Sequence, residues 1–436
     1  MSDINTVLLC LSTVLSSTNL DRLQLISYAL LAMDGRVTML GISRWTEKGG
    51  SYRTIQRFFK QTFSWCRLNW YLITGYLSDD DVILIAKDET TVTKSGQHTY
   101  GLGRYFSSIF NRAIPGLSFF TLSLISVKRR QSFPLVIEPV AKEEEEQPAK
   151  TASPKGKKKP GRPKGSRHKT QSTPELSARL LWTPALLRNL LKLIGTRLKP
   201  VYFVYDSAWG NNDCIAMLKP LELKLISKRR HDAALGFPDE GKYSGRGAPR
   251  KYGDKVNYAD MPDRYRKYSE VTLGILTPIY QIKARHKRFA QSLNVVIIRK
   301  TNLKTGKTTQ VIWFSSDLEL AWDKLIDYYR LRFQIEFNFR DAKQFWGLED
   351  FMNVGQTQIH HATNLSMFMV NLSYVLRQQT PFFSRSILDL KAWFKADKYV
   401  REILKLLPQS ADLNFNDRIL PDIAQLGRIN TPVEVG

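Results

Sequence analysis

The chain is poor in cysteine, in histidine, in acid and in long apolar runs, and each shortage removes a class of protein. Cys10, Cys66 and Cys214 are the whole cysteine complement of 436 residues. They are scattered, so neither a CxxC zinc site nor a disulfide framework can be built from them, and a reducing cytoplasm suits the chain. The six histidines form no HxxxH or HExxH pattern, and the adjacent His360 and His361 cannot share one helix face, which argues against a histidine metal site. The apolar run VLLCLSTVL (residues 7–15) follows an acidic start, is too short to span a bilayer and reads as a core helix; no later segment approaches membrane-spanning length. Acid is outnumbered, with 40 Asp and Glu against 65 Lys and Arg, a formal charge of +25. Such an imbalance repels itself unless a polyanion is bound, which points to nucleic acid as the partner and away from membranes.

What is present suffices for two or three domains: 436 residues, 43% of them hydrophobic. Residues 1–78 carry apolar positions at helical spacing, with Gly35, Gly49 and Gly50 marking turns. SYRTIQRFFK after a glycine turn suits a helix-turn-helix DNA reader, and a purely structural bundle has the same pattern. From residue 79 the texture turns to strands, VILIAK running into Asp88 and VYFVYD ending at Asp206; residues 79–227 read as the first part of an α/β core. Within it, residues 142–173 are nearly free of aliphatic and aromatic side chains and read as a disordered basic insert. Residues 228–314 look like a mainly β insertion. Residues 315–350 hold one helix, expected over 317–346, with Ser316 and Glu319 as a capping box and Gly347 as its stop; residues 351–436 are helical again.

The helix within 315–350 carries a polar stripe. At about 100° per residue, Tyr329, Arg332, Glu336 and Lys343 fall within about a sixth of a turn, flanked by Leu331, Ile335, Phe339, Ala342 and Trp346 on one side and by Phe333 and Phe337 on the other. A solvated seam with an Arg332–Glu336 pair would look the same. The two aspartates change the weighting, because carboxyl ends of adjacent strands are where α/β sheets place ligand chemistry. Three acids gathered there repel one another unless hard divalent cations intervene, and Mg²⁺ prefers such oxygens and supports in-line phosphoryl transfer from a two-ion site.

These residues resemble a known family. Tyr329, Arg332, Glu336 and Lys343 match the YREK signature (Y-x2-R-x3-E-x6-K) of bacterial insertion-sequence DDE transposases. KDET at 87–90 is similar to that family's first acidic motif and YDSAWG at 205–210 to its second, so the likeness spans about residues 80–350. It implies a ribonuclease H-like mixed sheet flanked by helices, with Asp88, Asp206 and Glu336 holding two Mg²⁺ ions, for which Mn²⁺ can substitute. It also implies that Tyr329, Arg332 and Lys343 contact phosphates and a distorted nucleotide. Trp209 stacks on a flipped base or sits in the core; both remain open. Glu89, Asp213 and Asp341 are rivals for metal ligation, with Asp341 about 140° from Glu336 and so facing elsewhere. The partners implied are double-stranded DNA, as element terminal inverted repeats and as target, and a second copy of the chain on that DNA. The implied reaction is strand cleavage at element ends and transfer of the 3′ hydroxyl into target by a cut-and-paste route. A transposase-derived DNA-binding regulator without chemistry would have the same composition.

Two basic tracts add DNA contacts. PGRPKGSRHK (residues 160–169), preceded by KGKKK, resembles an AT-hook, a GRP core flanked by cations suited to a narrow minor groove. A polybasic linker gripping phosphate is the alternative. The candidates are Lys157, Lys158, Lys159, Arg162, Lys164 and Arg167. SGRGAPRKYG (residues 244–253) offers Arg246, Arg250 and Lys251, but Ala248 stands where such hooks carry arginine.

Overall fold

Five helices, α1 (Ser2–Leu8), α2 (Ser17–Ala32), α3 (Met39–Trp45), α4 (Tyr52–Phe59) and α5 (Trp65–Ile73), precede the first strand in the computed structural model. It describes residues 2–46, 49–107, 111–140, 178–207, 210–239, 241 and 250–405. Short polar side chains start α3 and α4: Thr38 Oγ1 accepts from the Gly41 N–H at 3.0 Å and Ser51 Oγ from the Thr54 N–H at 3.3 Å. Helix α4 buries Ile55, Phe58 and Phe59 and leaves Tyr52, Arg53 and Arg57 exposed.

Strands β1 (Ile83–Thr93), β2 (Gly103–Ser107), β3 (Arg112–Ser126) and β4 (Gln131–Pro139) come next, then α6 (Ala178–Ile194), which runs through Pro184. After β5 (Tyr202–Val204) come α7 (Asn212–Leu218) and β6 (Lys224–Arg229), and then a short pair, β7 (Gly236–Pro238) and β8 (Tyr252–Lys255). The meander β9 (Arg266–Thr272), β10 (Ile275–Ala284), β11 (Leu293–Asn302) and β12 (Thr308–Ser315) leads to α8 (Trp322–Leu331), α9 (Gln334–Phe345), α10 (Gln356–Leu376) and α11 (Ile387–Lys405).

Among the described residues, ten strands form one mixed sheet in the order β2-β3-β1-β5-β6-β12-β11-β10-β9, with β4 alongside β3. The fold is the expected mixed α/β architecture, consistent with a ribonuclease H-like core. Within the segment read as a mainly β insertion, β12 pairs antiparallel with β6 from Ile312↔Arg229 to Ser315↔Ile226, so the meander at residues 266–315 prolongs the central sheet. The apolar runs LNVVII and QVIWF lie in the interior of that sheet.

The expected single helix over 317–346 is two. Ser316 does not cap it: β12 carries the chain to the last rung beside β6, and there Ser316 Oγ accepts from the Leu225 N–H at 2.8 Å. Glu319 pairs with Lys283 at 3.0 Å, and α8 starts only at Trp322 with no side-chain cap. The break falls at Arg332 and Phe333. The amides of Arg332, Phe333, Ile335 and Glu336 each bond the carbonyl three residues back, at 3.0 to 3.2 Å, which tightens the turn to 3₁₀ geometry. Gly347 stops α9 as expected, at φ +77°, and a Cβ there would fall 2.3 Å from Val37.

Helix α10 is buried nearly all round and holds the layers together. It packs on β4, α5 and α9, and Asn371 donates to Asn69 Oδ1 at 2.8 Å and to the Pro134 carbonyl at 2.7 Å. Helix α11 packs on α2, where the Tyr28 hydroxyl donates to Asp397, itself paired with Arg401. No helix among the described residues is long and apolar enough to cross a membrane.

Candidate active site

Strand β1 runs parallel to β5, with Leu84, Ile85 and Ala86 opposite Tyr202, Phe203 and Val204. Carrying that register two residues further sets Asp206 level with Asp88. Residues opposite one another on parallel strands project to the same side, so two acids 118 positions apart in sequence arrive on one sheet face. The turn after β5 is held by Ser227 of β6, whose hydroxyl donates to the Asp206 carbonyl at 2.7 Å.

The third acid comes from α9, which packs on β1 and β4. Asn338, two residues past Glu336, donates to Ser132 Oγ of β4 at 2.9 Å and fixes the height of the helix over the sheet. Arg332 in the tight turn joins the groups: Nη1 donates to Asp88 Oδ2 at 2.5 Å and Nη2 to Glu336 Oε1 at 3.4 Å. The other Asp88 oxygen, Oδ1, accepts from the Glu89 N–H at 2.9 Å. Asp88 and Arg332 are only 18% and 15% exposed at the side chain, against 43% for Glu336, so the first pair is sheltered from solvent screening and the second is not.

The electrostatics agree with this gathering. Burial pushes the Asp88 carboxyl above its usual range; Arg332 opposes the shift, and the charges of Asp206 and Glu336 add to it. Burial works against the Arg332 guanidinium too, but Asp88, Tyr329, Glu336 and Asp206 outweigh it and hold the group above its ordinary value. The Tyr329 phenol is raised, by burial first and then by Asp206 and Asp88, with Arg332 opposing; its ring lies 5.1 Å from that of Trp313. Asp88, Asp206, Tyr329, Arg332 and Glu336 therefore share one field.

The sequence model of a family described as DDE superfamily endonuclease matches residues 10–285, more than half of the chain. The chain belongs to the DDE superfamily endonucleases. The match takes in Asp88 and Asp206 and ends before Glu336, so the third acid and the YREK residues rest on the spacing and on the geometry above. Comparison with curated proteins gives no match.

Enzymes of this superfamily generally use divalent metal ions. The donor set fits such an ion in kind, since all three are hard carboxylates and the charges of Asp206 and Glu336 already act on Asp88. Their spacing is another matter. Among the described residues no three acidic, histidine or cysteine side chains are close enough to hold an ion together, because a guanidinium stands between Asp88 and Glu336.

The remaining predicted residues divide. Lys343, expected at phosphate, donates to the Thr91 carbonyl of β1 at 2.9 Å and pairs with Glu349 at 3.1 Å, so here it ties α9 to the end of β1. Arg250 and Lys251 are exposed just before β8. Trp209, Lys157, Lys158, Lys159, Arg162, Lys164, Arg167 and Arg246 lie outside the described residues. Of the rivals, Glu89 sits on the opposite face of β1 and accepts from the Tyr205 hydroxyl at 3.5 Å. Asp213 belongs to the first turn of α7, and Asp341 pairs with Arg340 at 2.9 Å. Sequence reading missed Asn338, and also Lys94, whose ammonium donates to the Glu349 and Phe351 carbonyls at 2.8 and 2.6 Å. Asn338 carried a faint signal as an amide set in an aromatic helix; Lys94 carried none.

Proposed function

We propose that the chain is the transposase of an insertion sequence. It cleaves DNA at the element ends and joins the freed 3′ hydroxyl to target DNA. What supports this reading is the Arg332 guanidinium, which reaches both Asp88 and Glu336 while the charge of Asp206 acts on Asp88 and Arg332 alike. In the first step water attacks phosphorus in line and the 3′ oxygen leaves; in the second that hydroxyl is the nucleophile and a target phosphodiester is opened. Both are displacements at the same kind of centre, so one set of residues serves both.

Asp88, Asp206 and Glu336 would hold Mg²⁺, or Mn²⁺ in its place, which supplies a nucleophile of lowered pKa and a stabilised leaving oxygen. Tyr329 and Arg332 border the acids, and with Lys343 released from its strand contact they would position the phosphates, the guanidinium as a fork and the ammonium as a point charge. The exposed face of α4, with Arg53 and Arg57, and the basic tracts would add duplex contacts, and joining two ends calls for two copies of the chain on DNA. The cut-and-paste route belongs to this proposal.

The test is a gel assay with labelled duplexes from the DNA flanking the coding sequence, with Mg²⁺ present. Asp88→Asn, Asp206→Asn and Glu336→Gln should each abolish cleavage while binding persists; unchanged cleavage in these variants refutes the site. The description of the matched family favours a second reading, an endonuclease that only hydrolyses. Strand joining from a pre-nicked end decides between them.

A further inference from the structure

This inference rests on the reading of Asp88, Asp206 and Glu336 as the acids of the active site. We propose that Arg332 is a gate on that site: its guanidinium closes the acid cluster, and a DNA phosphate opens it by drawing the side chain away, so that metal binding and DNA binding are coupled through one residue.

Three observations lead here. Both Asp88 oxygens are engaged, Oδ2 by Arg332 and Oδ1 by the Glu89 amide, so a divalent ion has to compete with a sheltered guanidinium for the first acid. The second arm of the guanidinium reaches Glu336 at only 3.4 Å, a weak contact that leaves one side of the bridge easy to release. The Arg332 Nε is buried and finds no hydrogen-bond partner among the described residues, so the closed pose leaves a donor unsatisfied. A phosphate offers what the closed pose lacks, two oxygens matched to the Nε and Nη edge of the fork. The backbone suits such a movement, because Arg332 lies in the tight turn between α8 and α9 rather than inside a regular helix. Coupling of this kind is reciprocal: whatever DNA adds to metal affinity, metal adds to DNA affinity.

The experiment measures Mn²⁺ binding to the full chain by the resonance signal of the free ion, with and without a duplex from the DNA flanking the coding sequence. The deciding arm contains no DNA. There Arg332→Gln should bind Mn²⁺ about tenfold more tightly than wild type. Arg332→Lys, which keeps the charge and loses the fork, should also bind more tightly than wild type, which separates release of the bridge from simple removal of a positive charge. Added duplex should tighten Mn²⁺ binding strongly in wild type and weakly in Arg332→Gln. Asp88→Asn should lose the binding in every arm. If both arginine variants match wild type without DNA while Asp88→Asn abolishes binding, the gate is wrong and the active-site reading stands. Mn²⁺ binding indifferent to Asp88→Asn overturns both. Melting curves confirm that each variant is folded.

Discussion

Two buried polar clusters in this protein solve the same problem in opposite ways. His361 on α10 is enclosed by Phe58, Phe59, Phe63 and Trp65, with ring centroids 4.7 to 5.1 Å away, and its Nδ1 lies 3.3 Å from the Gln61 carbonyl. Burial pushes that imidazole down to about 3, so it stays neutral and joins α10 to the N-terminal helices as an aromatic would. Asp88 and Arg332 are partly buried and form an ion pair, each compensated by the other. A cluster that discards its charge can only hold structure. One that keeps its charge in a pair can exchange partners, which is what handling a phosphate demands.

The comparison breaks if the two clusters respond alike to substitution. Asp88→Asn should lower the cleavage rate at least about a thousandfold, about 4 kcal/mol of transition-state stabilisation, with the fold intact by circular dichroism. Phe58→Ala in the cage should reduce unfolding free energy by about 3 kcal/mol in a denaturant titration, and should alter cleavage only as far as it unfolds the chain. Loss of stability in the first variant as large as in the second would erase the distinction.

Acid sharpens it further. The folded pKa of His361 lies below its unfolded value of about 6.5, so the unfolded state binds the proton first. The stability that burial of neutral His361 provides is complete above that value and is lost as pH falls toward about 3, by roughly 1.4 kcal/mol per unit. Melting temperature followed between neutral pH and pH 4 should fall less steeply in His361→Leu; an unchanged slope would assign the acid sensitivity elsewhere. The smallest effect belongs to a third buried contact. Tyr28→Phe removes the hydroxyl from Asp397, which keeps Arg401, and should cost about 1 kcal/mol by the same titration.

Much of this was legible in the chain because it is local. The apolar runs leading into Asp88 and Asp206, the glycine stop at 347 and the spacing of Tyr329, Arg332, Glu336 and Lys343 depend on side-chain periodicity, which each segment carries alone, although β1 does not end at Asp88 as that run suggested but pairs with β3 as far as Thr93. The helix start at residue 317 was misread for the opposite reason. Ser316 has the side chain of a cap, but the rung it shares with Leu225 comes from a strand more than ninety residues earlier, and no local pattern announces it.

By itself, then, the sequence determined the charge, the classes of protein it excludes, the candidate acids and the spacing of Tyr329, Arg332, Glu336 and Lys343, because composition and periodicity are properties of neighbours along the chain. Only the tertiary structure decided that the strand holding Asp88 runs parallel to the strand leading to Asp206, that the β meander prolongs the same sheet, and that Arg332 holds Asp88 and Glu336 while Lys343 holds a strand carbonyl. Those are choices among partners distant in sequence, and they are settled by which backbones pair and which faces are buried against each other.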